Sequence, residues 1–72
     1  MLYDYSKLEG RIVEKFGTRK NFAEAFGTSE RTMSLKLNNR VPWKQDEMQK
    51  ASNLLDFPES DIQAYFFTYK VQ

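Results

Sequence analysis

The sequence predicts an all-α domain of five short helices, followed by a short C-terminal β-strand. Three observations lead there. The stretch Thr18 to Asn38 has the form of two capped helices joined at Gly27. Apolar residues recur at helical spacing through most of the remaining chain, and only the segment after Phe66 changes to a period of two. A chain of 72 residues has room for one domain, near the lower size at which a single core suffices.

Asp4 or Ser6 can cap the first helix, in which Tyr5, Leu8, Ile12 and Phe16 fall on one face and Gly17 marks the end. Gly10 lies inside it at a cost of about 1 kcal/mol against alanine, so this helix depends on packing. The second helix opens at Thr18, whose hydroxyl can accept from an N–H near Asn21. It runs to Phe26 with Phe22, Ala23 and Phe26 on one face. Gly27 can take the left-handed conformation and fold the chain back within a short turn. Ser29 then caps a third helix whose Met33 and Leu37 face inward, which leaves Glu30, Arg31, Ser34 and Leu35 pointing away from the core. Ala23 supplies the small residue that two closely crossing helices need at their contact.

After a loop of Asn39, Arg40, Val41 and Pro42, Trp43 precedes a fourth helix from about Lys44 to Leu55. Because it abuts a stripe of Met48, Ala51 and Leu55, Trp43 is expected in the core rather than against a ligand. Asp56, Phe57 and Pro58 form the next turn. Glu59, Ser60 and Asp61 then place negative charge in the first turn of a fifth helix that ends near Phe66, with Ile62, Tyr65 and Phe66 apolar. Phe67, Tyr69 and Val71 alternate with polar residues, a strand pattern with no obvious neighbour to pair with.

The two-helix unit fits a helix-turn-helix that reads DNA, and its residues Phe22-Ala23, Gly27, Ser29, Thr32-Met33-Ser34 and Lys36-Leu37-Asn38 resemble the Cro and lysogeny-repressor family, also called XRE-like. The likeness covers nearly the whole chain and is greatest to the short Cro-type regulators of temperate phages of Gram-positive bacteria. It implies a five-helix repressor-like fold and a transcriptional regulator of the lysis-lysogeny switch, acting in the host cytoplasm. The implied partners are double-stranded operator DNA and either a second copy of the chain or the phage lysogeny repressor. The alternative is therefore an antirepressor, or modulator of repression, that captures the repressor protein.

The resemblance implies base reading by Glu30, Arg31, Ser34 and Leu35. Arg31 is the side chain suited to a bidentate contact with guanine, and Leu35 suits a thymine methyl. Phosphate contacts are implied for Thr18, Arg19, Lys20, Ser29, Thr32, Asn38, Arg40 and Lys44. Glu30 departs from the family, which often carries a neutral residue there. A carboxylate near phosphates is unfavourable unless Arg19 or Arg31 pairs with it. Lys36 is expected to lay its stem along the core edge with its ammonium outside.

Charge is distributed in keeping with such a site. The net charge is only +1, yet residues 17 to 44 hold six basic groups against two acidic ones, while residues 45 to 72 hold two against five. With no cysteine and no histidine, disulfides, zinc fingers and imidazole chemistry are excluded. Neither a glycine-rich phosphate loop nor metal-spaced ligands occur, so no enzyme, cofactor, metal or small-molecule substrate is expected. No apolar run is long enough for a membrane span. Tyr65, Phe66, Phe67, Tyr69 and Val71 concentrate more aromatic and apolar surface than one short helix face can bury, and are expected to form an association surface.

Overall fold

The structure, a computed structural model, describes residues 2–71. Its helices are α1 (Ser6–Phe16), α2 (Arg19–Phe26), α3 (Glu30–Leu37), α4 (Gln45–Leu54) and α5 (Ile62–Phe66), the last entered through a single 3-10 turn at Glu59–Asp61. This is the five-helix all-α architecture that the periodicity predicts.

Each helix begins and ends where local chemistry allows. The expected cap of α1 by Asp4 or Ser6 is displaced: the N-cap position falls on Tyr5, whose side chain makes no cap bond, and the Asp4 carboxylate just before it accepts from the Ser6 N–H at 2.9 Å. Hydrogen bonding from the Ser6 side chain and then from its N–H holds the Asp4 carboxyl below the usual aspartate range. Thr18 Oγ1 accepts from the Asn21 N–H at 3.1 Å, and Ser29 Oγ from the Thr32 N–H at 3.1 Å, so both caps on the central unit form as their residue types dictate. Gly27 closes α2 at φ 94°, in the left-handed region, with its N–H on the Ala23 carbonyl. Lys44, the N-cap of α4, has no acceptor on its side chain. There Glu47 reaches back and accepts from the Lys44 N–H at 2.9 Å.

The C-terminus of α4 is closed from a distance. Asp56 adopts φ 57°, Phe57 donates back to the Ser52 carbonyl at 3.1 Å, and Arg11 of α1 donates to the carbonyls of Leu55 and Asp56, both at 2.8 Å. One arginine thus ties the first helix to the end of the fourth.

The core collects Leu8 and Ile12 of α1, Phe22, Ala23 and Phe26 of α2, Met33 and Leu37 of α3, Ala51 and Leu55 near the end of α4, and Phe66 of α5. An aromatic column runs through it: Phe16, Phe22, Phe26, Trp43 and Phe66 follow one another with ring centroids 5.4, 5.7, 5.9 and 5.0 Å apart. Trp43 is 7% exposed and sits in the middle of the column, in keeping with its expected core role.

The chain end does find a partner. Tyr3 and Tyr69 form an isolated antiparallel bridge, with the Asp4 N–H on the Thr68 carbonyl at 2.6 Å and the Lys70 N–H on the Leu2 carbonyl at 3.1 Å. The terminal strand is therefore a single bridge to the N-terminal arm, a pairing that spans nearly the full chain and leaves no local signature.

Candidate functional site

The surface offered by the central unit is set by α2, its glycine turn and α3. Met33 and Leu37 bury one side of α3, while Glu30 and Arg31 stand exposed at its N-terminus and Ser34 and Leu35 are half-buried one turn on. Among the described residues Glu30 and Arg31 make no ion pair. The compensation that Glu30 would need beside phosphates is not in place: Arg19 pairs instead with Glu9 of α1.

The residues expected on phosphates divide into three groups. Lys20, Asn38, Arg40 and Lys44 are exposed and available. Arg19 is half-buried, with a guanidinium nitrogen committed to Glu9. Thr18 and Ser29 each accept one helix-cap N–H; Thr18 keeps its hydroxyl hydrogen to donate, whereas Ser29 donates its own to Thr32 Oγ1 at 3.0 Å, which leaves the Thr32 hydroxyl hydrogen as the outward donor of that pair.

Lys36 departs from expectation. It is 5% exposed, and its ammonium turns inward to donate to Glu47 Oε1 at 2.8 Å and the Pro42 carbonyl at 3.3 Å, lying 5.5 Å from the Trp43 ring centroid. The physical reason is that Glu47, already oriented by the Lys44 N–H, presents a fixed carboxylate beside the end of α3. Burial alone would push the Glu47 carboxyl up, but the Lys36 hydrogen bond, the Lys44 N–H and the two nearby ammonium charges together hold it below the usual range.

The second surface is formed by the chain ends, and here the structure corrects the expected set. Tyr65 is stacked on Phe57 at 4.0 Å and Phe66 is 1% exposed against Trp43, so both belong to the core and not to an association surface. Five residues suffice for α5 to turn these two rings inward, because the turn before it already aims the helix at the core. Phe67, Tyr69 and Val71 remain outside at 38%, 54% and 96% exposure, joined by Leu2 at 55%. Tyr3 ties this patch together: its ring is stacked on Tyr69 at 5.3 Å and meets Phe67 edge-on at 5.7 Å.

The two surfaces are connected by Asn39, in the loop after α3. Its side-chain amide accepts from the Tyr3 N–H at 2.9 Å and donates to the Tyr3 carbonyl at 3.0 Å, while its backbone takes φ 62°. Sequence reasoning missed this clasp, as it missed the inward Lys36. An asparagine in a loop is compatible with many roles, and only a partner 36 positions away selects this one.

Among the described residues no helix is long and apolar enough to cross a membrane. No curated protein matches the chain. Among solved structures it is similar to the solution structure of the modulator of repression (MOR) of the temperate bacteriophage TP901-1 from Lactococcus lactis. The two share 57% sequence identity over 100% of this chain and 97% of that one, with a TM-score of 0.84. Residues 1–69 match the family model described as "Protein of unknown function (DUF739)", and the chain belongs to that family.

Proposed function

We propose that this chain is a phage modulator of repression that acts by binding the phage's repressor protein, with no catalytic step. The observation that carries this reading is the full-length similarity, at 57% identity, to a protein whose own name describes that role. Charge supports it as well. The exposed start of α3 carries Glu30 in no ion pair among the described residues, and Arg19, one of the two cations that could neutralise it, is engaged by Glu9. Phosphates approaching there would meet an uncompensated carboxylate, whereas a protein partner can supply a basic group.

A second reading, a Cro-like regulator that occupies operator DNA, keeps one specific observation in its favour. The helices α2 and α3 are both capped at their starts by side chains, and this unit presents Arg31, Ser34, Arg40 and Lys44 without a side-chain contact that would withdraw them.

One experiment separates the two. Operator DNA is run in a mobility shift with the purified chain alone, with the cognate repressor alone, and with both, at two salt concentrations. A modulator leaves free DNA unshifted and alters the repressor's shift. A sequence-specific shift by the chain alone, weakening steeply with salt, would establish the operator-binding reading instead.

A further inference from the structure

We infer that the chain pairs with a second copy of itself through the open edge of its terminal ribbon, Tyr69 against Tyr69 across a two-fold axis. This goes beyond the repressor-binding reading and does not depend on it.

Backbone polarity defines the edge. Around the Tyr3–Tyr69 bridge the inward groups are the Asp4 N–H, the Leu2 carbonyl, the Thr68 carbonyl and the Lys70 N–H, which bond one another. In an antiparallel pair of this register, the N–H and C=O of the two bridged residues themselves point outward, to opposite sides. On the N-terminal side those outward groups are used, because the Asn39 amide takes both the N–H and the C=O of Tyr3 and stands where a neighbouring strand would be. On the C-terminal side the equivalent groups of Tyr69 have no partner among the described residues. The ribbon thus has one sealed edge and one open one.

An open edge offers a donor and an acceptor to another strand. The choice of occupant follows from register. A two-fold axis at Tyr69 lets the same residue on each copy give its N–H and accept on its C=O, which satisfies both groups with one isologous contact. The same axis sets Thr68 opposite Lys70 of the other copy, so the two lysines do not face each other. Tyr69 and Val71 share one face with Tyr3, whose ring already stacks on Tyr69. Two copies would therefore line up four tyrosine rings, Tyr3, Tyr69, Tyr69 and Tyr3, as successive cross-strand pairs. The exposed Phe67 and Val71 flank that row. With so few residues the contact is of the weak, concentration-dependent kind.

The test uses the full chain at a series of concentrations up to near-millimolar, alone, by sedimentation equilibrium and by hydrogen exchange at the Tyr69 amide. Dimer should accumulate with concentration while the Tyr69 amide becomes protected. A synthetic chain methylated on the Tyr69 nitrogen should sediment as monomer throughout with unchanged helicity, since the bonds from Asp4 and Lys70 do not use that nitrogen. If the methylated chain misfolds, the unmodified chain's amide still decides. A chain that stays monomeric at every concentration, a methylated chain that dimerises equally well, or an amide that is protected only when repressor is added would each overturn the inference. The last result would give the edge to the repressor.

Discussion

The Lys36 ammonium and the Glu47 carboxylate meet at 2.8 Å, joining the end of α3 to the start of α4 with side chains only 6% and 22% exposed. The pair fixes how the outward row of α3 is presented, because it anchors the last turn of that helix to a different element. Removing one partner strands a buried charge. Glu47→Ala should therefore cost about 2 to 4 kcal/mol, somewhat under the full cost of breaking a buried pair because Glu47 keeps some solvent. Lys36→Met, which keeps the volume and leaves only the more exposed Glu47 carboxylate, still held by the Lys44 N–H, should cost clearly less when the two are compared by urea titration. Equal losses would mean that the stranded Lys36 ammonium is not the source of the cost.

The same pair predicts an acid transition. The carboxyl of Glu47 lies below its ordinary range in the folded chain, so its stabilisation is fully present above the unfolded value of roughly 4.3 and fades as pH falls through the lower folded value. Glu47→Gln should be less stable at neutral pH, and its stability should fall less than that of the unmodified chain over this acidic window. Parallel pH profiles would count against the assignment.

Truncating the two sides of α3 should have opposite consequences. Leu37, 4% exposed in the core, should lose about 2 to 5 kcal/mol as Leu37→Ala, which a domain of this size barely tolerates. Ser34→Ala should leave the melting temperature nearly unchanged. If operator DNA is bound, Arg31→Ala should relax preference at one base pair, whereas Arg40→Ala should weaken all sequences alike.

Asn39 has two separable roles, and two variants separate them. Asn39→Gly keeps the positive φ without strain and loses both bonds to Tyr3. Asn39→Ala loses the bonds and also carries a Cβ at φ 62°, so it should be the less stable of the two by about 1 kcal/mol. Hydrogen exchange at the Tyr3 amide should accelerate in both. A Tyr3 amide that stays protected would show that the N-terminal arm is held by the Tyr69 bridge alone.

Gly10 offers a gain. An added Cβ would meet nothing within 4 Å in the middle of α1, so the glycine there is tolerated rather than required. Gly10→Ala should raise stability by about 0.5 to 1 kcal/mol, read as a higher melting temperature. A loss would reveal a contact at that face made only by a bound partner.

The local signals in the sequence determined the helices, their caps and the inward faces, because Thr18, Gly27, Ser29 and the spacing of Met33 and Leu37 act within one or two turns of chain. They also led to a core place for Trp43, although the rings that it packs between, Phe26 and Phe66, come from distant parts of the chain. The resemblance that starts from those same residues led to a phage regulator with operator-DNA occupancy as the first reading and repressor capture as the alternative, and the similarity to a phage modulator of repression supports the alternative better.

What the tertiary structure alone decided are the pairings between distant positions. Arg19 with Glu9, Lys36 with Glu47, Asn39 with Tyr3, and Arg11 with the end of α4 are each satisfied by a group that only folding brings near. A charged or amide side chain has many partners of suitable chemistry in the sequence, and the energy of each pairing depends on distance and burial, which only folding sets. For the same reason the five apolar residues of the tail could not be sorted in advance. Tyr65 and Phe66 go inward on α5, whereas Phe67, Tyr69 and Val71 stay outside because the helix ends at Phe66 and the chain beyond it runs along the N-terminal arm, bridged at Tyr3.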